Sequence, residues 1–401
     1  MLLNRPKYVD WLMKWRGKDV VKVLTGVRRC GKSTILHLFH SRLEADGVDP
    51  GRILSVNLED PDVERELAPG MALYDKVKNA TLDGHPFYVL IDEAQHLAEF
   101  ERTVAGLGLL PGVDVYITGS NSDLLAGDLA TRLTGRYVEL HVLPLSYAEY
   151  VEAALVSLEP TPSDFLRSYI RDGGFPFVTR LNGDETMIRQ YLSGVVSTIV
   201  LRDIAPRQSS FTPMLFNSVL EFVMDNVGNL TSITSISNTL TSMGRKTGRS
   251  AVERYMDGLI DSYLVYRVPR FDIKGKVYLE DIAKYYAVDT GIRRALLGGQ
   301  RPDWGNLLEN VVFLELVRRG FRVSVGKAGQ GEVDFVAELD GAFIYIQVTQ
   351  RVDSPEALAR ELAPLKSAAD FYPRLLLVGD DGPTLSHEGI KQQSVRDWLM
   401  D

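Results

Sequence analysis

Apolar runs recur through residues 1–145 as VVKVLTG (20–26), RILSVNLE (52–59), FYVLIDE (87–93), VDVYITGS (113–120) and YVELHVL (137–143). Helical patterns such as KSTILHLFHSRLEADG (32–47) lie between them, that one stopping at Gly47 as a helix C-terminus often does. Alternation of this kind predicts a parallel sheet covered by helices. From 145 to 205 the pattern is helical, interrupted by Gly173-Gly174-Phe175-Pro176. Residues 207–276 read as helices around the Ser/Thr-rich NLTSITSISNTL, then SAVERYMDGLIDSYL, then an Arg-rich strand pair opening with VYRVPRF. On paper that order is a winged helix-turn-helix. After the break at Leu297-Gly298-Gly299 the pattern predicts a helix over 304–319, a strand over 321–326 and the hairpin GEVDFVAELDGAFIYIQVTQ. A helix over 354–368, a strand over 373–379 and a terminal helix follow. Asp340-Gly341 between two alternating strands is a strong hairpin signal.

Composition changes little in this picture. The 401 residues are 45% hydrophobic and 24% charged, which excludes a disordered or collagen-like chain. No apolar run approaches the ~18 residues of a membrane span, and MLLNRPKYVD lacks the apolar core of a signal peptide. A single cysteine, Cys30, excludes an internal disulfide and a Cys-rich zinc site. The expected compartment is the cytosol, with no membrane partner. Net charge is −8, so any nucleic-acid contact must be local. Residues 201–276 hold 10 basic and 7 acidic side chains, leaving −11 for the remainder.

Chemistry enters at Gly26-Val27-Arg28-Arg29-Cys30-Gly31-Lys32-Ser33, which fits G-x-x-x-x-G-K-[ST] without deviation; Thr34 follows in the same turn. The glycines let successive backbone N–H groups turn toward a β-phosphate, and the helix beginning near Lys32 adds its positive end. Lys32 is expected to neutralise the β- and γ-phosphates and Ser33 to hold Mg²⁺. Cys30 reads as a small filler within the loop, although a thiol near a helix N-terminus is oxidisable.

FYVLIDEAQHL supplies the partner motif. Four apolar residues before Asp92 describe a central strand, delivering Asp92 to the sheet edge where ligands bind. Asp92 is expected to hold Mg²⁺ through water and Glu93 to polarise the attacking water. A third strand, VYITGSNS, ends in Ser120 and Asn121, either of which can sense the γ-phosphate or simply cap the strand. Arg132 and Arg136 in TRLTGRY are rival candidates for transition-state charge stabilisation, from within the chain or from a neighbour.

With the P-loop, IDEAQ and TGSN followed by LTGRYVELHVLPLSYAEY, the chain resembles a large prokaryotic family of AAA-type ATPases. VLRDI (200–204), KYYAVDTGIR (284–293), LLENVVFLEL (307–316), EVDFVAE and IYIQV extend the resemblance over nearly the whole chain. It implies an α/β fold in four parts: an AAA/P-loop core over 1–145, a helical lid over 146–206, a winged-helix module over 207–299 and a domain related to PD-(D/E)xK nucleases over 300–401. ATP and Mg²⁺ are the implied ligands. Gly173–Pro176 is the nearest match to a lid segment that touches nucleotide in related ATPases.

A PD-(D/E)xK site needs an acid on its first helix, an Asp on its second strand and an acid-x-Lys on the next. Glu309 and Asp334 fit the first two places, but the third reads Gln347-Val348-Thr349. Gln is a weaker Mg²⁺ ligand than carboxylate, and Thr supplies no cation. The expectation is a nuclease-like fold without nuclease activity, in which Glu309 and Asp334 pair structurally with Arg318, Arg319 or Lys327. Arg245-Lys246-Thr247-Gly248-Arg249 could set basic groups against DNA phosphate, or merely form a solvated face. The leading expectation is thus an Mg²⁺-dependent ATPase whose nucleotide state repositions its later domains. A nucleotide-gated DNA-binding switch is the rival and an ATP-dependent nuclease the third reading; self-association stays open.

Overall fold

The five apolar runs form five strands: β1 (Val21–Thr25), β2 (Ile53–Asn57), β3 (Phe87–Asp92), β4 (Val113–Gly119) and β5 (Tyr137–His141). All pair in parallel, in the order β2-β3-β4-β1-β5. The computed structural model describes residues 3–401 except 68, 70, 123–132, 134, 158–163, 209, 299–302, 330 and 369. Two compact units emerge, the first comprising Met1–Pro144 with Asp261–Tyr263 and the second the rest. Among the described residues no helix is long and apolar enough to cross a membrane.

In the first unit β1 is buried at every position and β3 at all but its last. Two-sided burial explains why these runs are nearly continuous in apolar residues. Val23, Val89, Ile91, Val115 and Ile117 join one core with Val104 and Leu107 from the helix Phe100–Leu107. One residue breaks the apolar rule: Lys22, inside β1, is fully buried and pairs with Asp114 of β4. A buried ammonium needs such a partner.

The second unit contains an eight-stranded sheet. Its strands are β6 (Val265–Asp272), β7 (Val277–Ala287), β8 (Arg322–Ala328), β9 (Gly331–Leu339), β10 (Ala342–Thr349), β11 (Arg374–Val378), β12 (Leu385–His387) and β13 (Ile390–Ser394), ordered β12-β13-β11-β10-β9-β8-β6-β7. The β9–β10 hairpin turns at Asp340 and Gly341, both at positive φ, as a two-residue hairpin turn requires. Strands on both sides of residue 299 share this sheet, because β6 pairs in parallel with β8. The helices Pro213–Asp225, Ile233–Ser242 and Arg249–Asp261 precede the β6–β7 hairpin, and Thr231 bridges to Ala283 of β7. NLTSITSISNTL becomes helical because Ser232 and Ser235 form a reciprocal capping box.

Gly173–Pro176 has a packing role within this unit. Asp289 caps the helix Thr290–Leu297, and its carboxylate also accepts from Gly174 N at 2.6 Å. A Cβ at Gly173 would fall 2.0 Å from Asp289 Oδ1, and one at Gly291 would fall 2.2 Å from the Asp172 carbonyl oxygen. The glycines therefore let two chain segments meet around a buried carboxylate.

Burial pushes Asp289 from 3.8 up to about 6, against its backbone hydrogen bonds. A raised carboxyl favours the native state below the unfolded value and loses that contribution as pH rises through the folded value. Between pH 3.5 and 7.5 the parent should thus lose about 3 kcal/mol relative to Asp289→Asn. Urea unfolding of both proteins at the two pH values measures it; parallel stabilities would refute the assignment.

Candidate nucleotide site

The site is built where β1, β3 and β4 end. Because β4 lies between β1 and β3, its terminus falls between the loop that follows Thr25 and the acidic pair that follows Ile91. Gly26 has φ +141°, and a Cβ there would stand 2.2 Å from the carbonyl oxygen of Val142. Arg29 and Gly31 also take positive φ before the helix Lys32–Ala45 starts. Positive-φ residues interspersed in a loop let backbone N–H groups turn toward an anion.

Lys32 is 4% exposed and donates to the carbonyls of Gly26 at 2.8 Å and Val27 at 3.2 Å. Its Nζ lies 3.9 Å from Glu93 Oε1. Ser33, at the exposed start of the helix, hydrogen-bonds the Asp92 side chain. Thr118 of β4 donates from Oγ1 to Asp92 Oδ1 at 2.5 Å and accepts from Glu93 N at 2.9 Å. Glu93 sits at φ +55°, an uncommon conformation for a non-glycine residue. Its Oε2 accepts from Gln95 Nε2 at 2.5 Å and Ser120 Oγ at 3.2 Å. Asn121, also buried, follows directly.

The two acids are tuned in opposite directions. Burial pushes Asp92 above its ordinary value despite hydrogen bonds from Ser33 and Thr118. Burial acts on Glu93 too, but Lys32 and Arg28, with Gln95 and Ser120, hold its carboxyl below the usual value. Burial therefore makes charge on Asp92 costlier than on a free carboxyl, which a nearby cation would relieve, while Glu93 holds its charge more readily than a free carboxyl. The Ser33 hydroxyl beside the Asp92 carboxylate is a hard-oxygen donor set that fits Mg²⁺.

Three contributors lay outside the sequence reading. Arg28, expected to act through its backbone, buries its guanidinium, donates to Glu59 Oε1 at 2.7 Å and reaches 3.9 Å from Glu93 Oε2. Arg5, 2% exposed, donates to Cys30 O and Leu143 O, both at 3.1 Å, tying the loop to the segment after β5. Thr118 links the two acids. No spacing rule marks a lone Arg ahead of a helix, whereas a Thr inside an apolar strand beside an acidic pair was a readable signal.

Arg136 is a correction. It is exposed and precedes β5 at the end paired with Val21, so the whole of β1, roughly 13 Å at four residues of strand, separates it from the loop. At that separation Arg136 lies away from the loop of its own chain. Its rival, Arg132, lies outside the described residues. In the second unit Glu309 and Asp334 do come together, but around Lys284; Arg318 and Arg319 pair with Glu315, and Lys327 with Asp272.

Comparison with known proteins bears on the family and the fold. Residues 18–151 match a family model described as an AAA domain, and residues 163–303 match one described as a domain of unknown function (DUF8612). An uncharacterized protein of Haemophilus influenzae is 36% identical over 402 residues, covering 100% of this chain and 99% of its own. The chain belongs to that family of AAA-type P-loop ATPase proteins. An uncharacterized protein of Methanocaldococcus jannaschii is 29% identical over 79% of this chain and 71% of its own length. Among solved structures, a Walker-type ATPase of Pyrococcus abyssi superposes with TM-score 0.53 at 15% identity, over 74% of this chain and 96% of its own. At that identity the likeness is one of fold.

Because ionised Asp92 is held above its ordinary value, its charge costs native stability once pH rises through the folded value. Asp92→Asn should accordingly melt higher than the parent at pH 7.5 without ligand, yet gain nothing from Mg²⁺ with ATP. Thermal melts with and without Mg²⁺-ATP measure both effects; a lower ligand-free midpoint would show that the carboxylate is not strained.

Proposed function

We propose that the first unit binds ATP with Mg²⁺ and hydrolyses it, and that the nucleotide state governs the second unit. What carries the reading is the convergence of a phosphate-cradling loop, a cation-seeking Asp92 and an ionised Glu93 at one end of a parallel sheet. Lys32, which now donates to two loop carbonyls, would exchange them for β- and γ-phosphate oxygens, a stronger charge-assisted contact. Ser33 and Asp92 would hold Mg²⁺, which supplies charge neutralisation for the phosphates. Glu93, steadied by Ser120 and Gln95, takes a proton from water as it attacks the γ-phosphorus, the bond to the β–γ bridging oxygen breaks and ADP departs with that oxygen. Drawing Lys32 toward phosphate lessens the charge that keeps Glu93 acidic, making Glu93 a better base when substrate is in place. Asn121 is suited to orienting the γ-phosphate or the water.

In this reading the second unit comprises a helical lid, a winged-helix part and a nuclease-like part without nuclease activity. A specific observation favours DNA as its partner. Exposed Arg245, Lys246 and Arg249 crowd the start of the third helix in a helix–helix–helix–hairpin order. If that end meets phosphate, duplex binding should weaken steeply with salt and differ between ATP and ADP. Titration of labelled duplex at two salt concentrations with ATP, ADP or neither decides it; no binding at low salt in any state counts against DNA.

For the main reading, Lys32→Ala should lose ATP binding, and Glu93→Gln should bind ATP while turning over at least ~100-fold more slowly. Calorimetry for binding and phosphate release for turnover separate the two. Undiminished turnover in Glu93→Gln would remove Glu93 from the mechanism.

A further inference from the structure

The second unit buries an ion cluster that takes no part in the chemistry above. Lys284 of β7 is 4% exposed, with Nζ 2.8 Å from Glu309 Oε1, 2.9 Å from Glu332 Oε1 and 3.8 Å from Asp334 Oδ1. Glu309 comes from the helix Trp304–Arg318, and Glu332 and Asp334 from β9. Tyr286 donates its hydroxyl to Glu309, and Val348 N of β10 donates to Asp334 Oδ2 at 2.8 Å. Gln347, on the same strand, turns its amide oxygen to Asp334 N and its Nε2 toward Glu361 Oε2, each at 3.4 Å.

Three carboxyl groups face one ammonium, and two of the three are buried. Oxygen donors from separate elements converging on one point are what a hard divalent cation takes as ligands. Here that point is filled by Nζ. It donates a hydrogen bond to Glu309 and forms ion pairs with Glu332 and Asp334, and its tether to β7 makes it a permanent resident. Burial alone would favour a neutral lysine, yet Glu309, Asp334 and Glu332 together hold Lys284 above its ordinary value and keep it charged. Among the described residues no group of three or more His, Cys, Asp or Glu is arranged to hold a metal. The cation that Thr349 cannot supply thus reaches the cluster from a strand earlier in the chain.

We propose that the Lys284 ammonium is a built-in cation standing where a divalent metal would sit among Glu309, Glu332 and Asp334, so that the cluster accepts such a metal only when Lys284 is removed. The cluster then joins β7, β9 and the helix Trp304–Arg318 without depending on any metal supply. Its buried acids offer no vacancy at which a metal could meet a phosphodiester. The inference is independent of ATP chemistry in the first unit.

Mn²⁺ titration of the full chain, followed by electron paramagnetic resonance, tests it. Lys284→Gln should bind one Mn²⁺ per chain more than the parent, and adding Asp334→Asn should abolish that extra ion. The parent should show no Mn²⁺ that Asp334→Asn removes, a comparison that cancels any ion held near Asp92. Parent binding that disappears in Asp334→Asn would overturn the proposal, as would a folded Lys284→Gln protein without an extra ion. If Lys284→Gln does not fold alone, refolding with millimolar Mn²⁺ decides: recovery supports the proposal and failure refutes it.

Discussion

The close approach of Gly26 to the carbonyl of Val142 governs the first unit. Any side chain at this turn would collide with backbone, which yields far less readily than the tip of a flexible side chain. Arg5 fastens the same gap from the other side, bonding Cys30 O and Leu143 O with one guanidinium. Held in this way, the loop sets Lys32 over its own carbonyls and within ion-pair distance of Glu93. The acid pair, the threonine between them and the serine after β4 gain their relation to the loop from the parallel pairing of β1, β4 and β3.

The chain meets the problem of buried charge in two ways. Around Asp92 burial raises the carboxyl above its ordinary value, and the hydroxyls of Ser33 and Thr118 are its hydrogen-bond partners. Around Glu309 and Asp334 the cation is covalent and the hydrogen bonds are largely complete. A site that must admit and release a charged ligand retains some electrostatic discomfort, whereas a structural joint removes it. Lys22 with Asp114 is a third buried pair, placed within the sheet instead of at its functional edge.

Much of the first unit was legible because two-sided burial writes itself as uninterrupted apolar runs, and because phosphate loops obey a strict spacing. Asp92 and Glu93 were readable from the strand before them. Side-chain reach was not. Arg28 reads as a loop residue, yet its guanidinium crosses to Glu59 and approaches Glu93. Arg136 reads as a candidate for transition-state charge from its motif alone, but parallel pairing begins β5 at the far end of β1. The packing role of Gly173 and Gly174 was not legible, because the missing Cβ of Gly173 makes room for Asp289 and that of Gly174 for the Leu145 carbonyl, both remote in sequence. Lys284 escaped notice because a motif scan looks two residues past the acid, while the sheet draws its cation from β7.

The β6–β7 hairpin carries a mechanical implication. Arg270–Asp272 are laddered to Val325–Lys327 of β8, while Ala283 on the partner strand grips Thr231 beside the helices. The hairpin is common property of the helical array and the terminal sheet. A freely swinging arm is incompatible with such sharing, since detaching the helices would unzip backbone ladder bonds. Force applied to them travels through the hairpin into β8 and onward across the sheet, as through a single stiff lever.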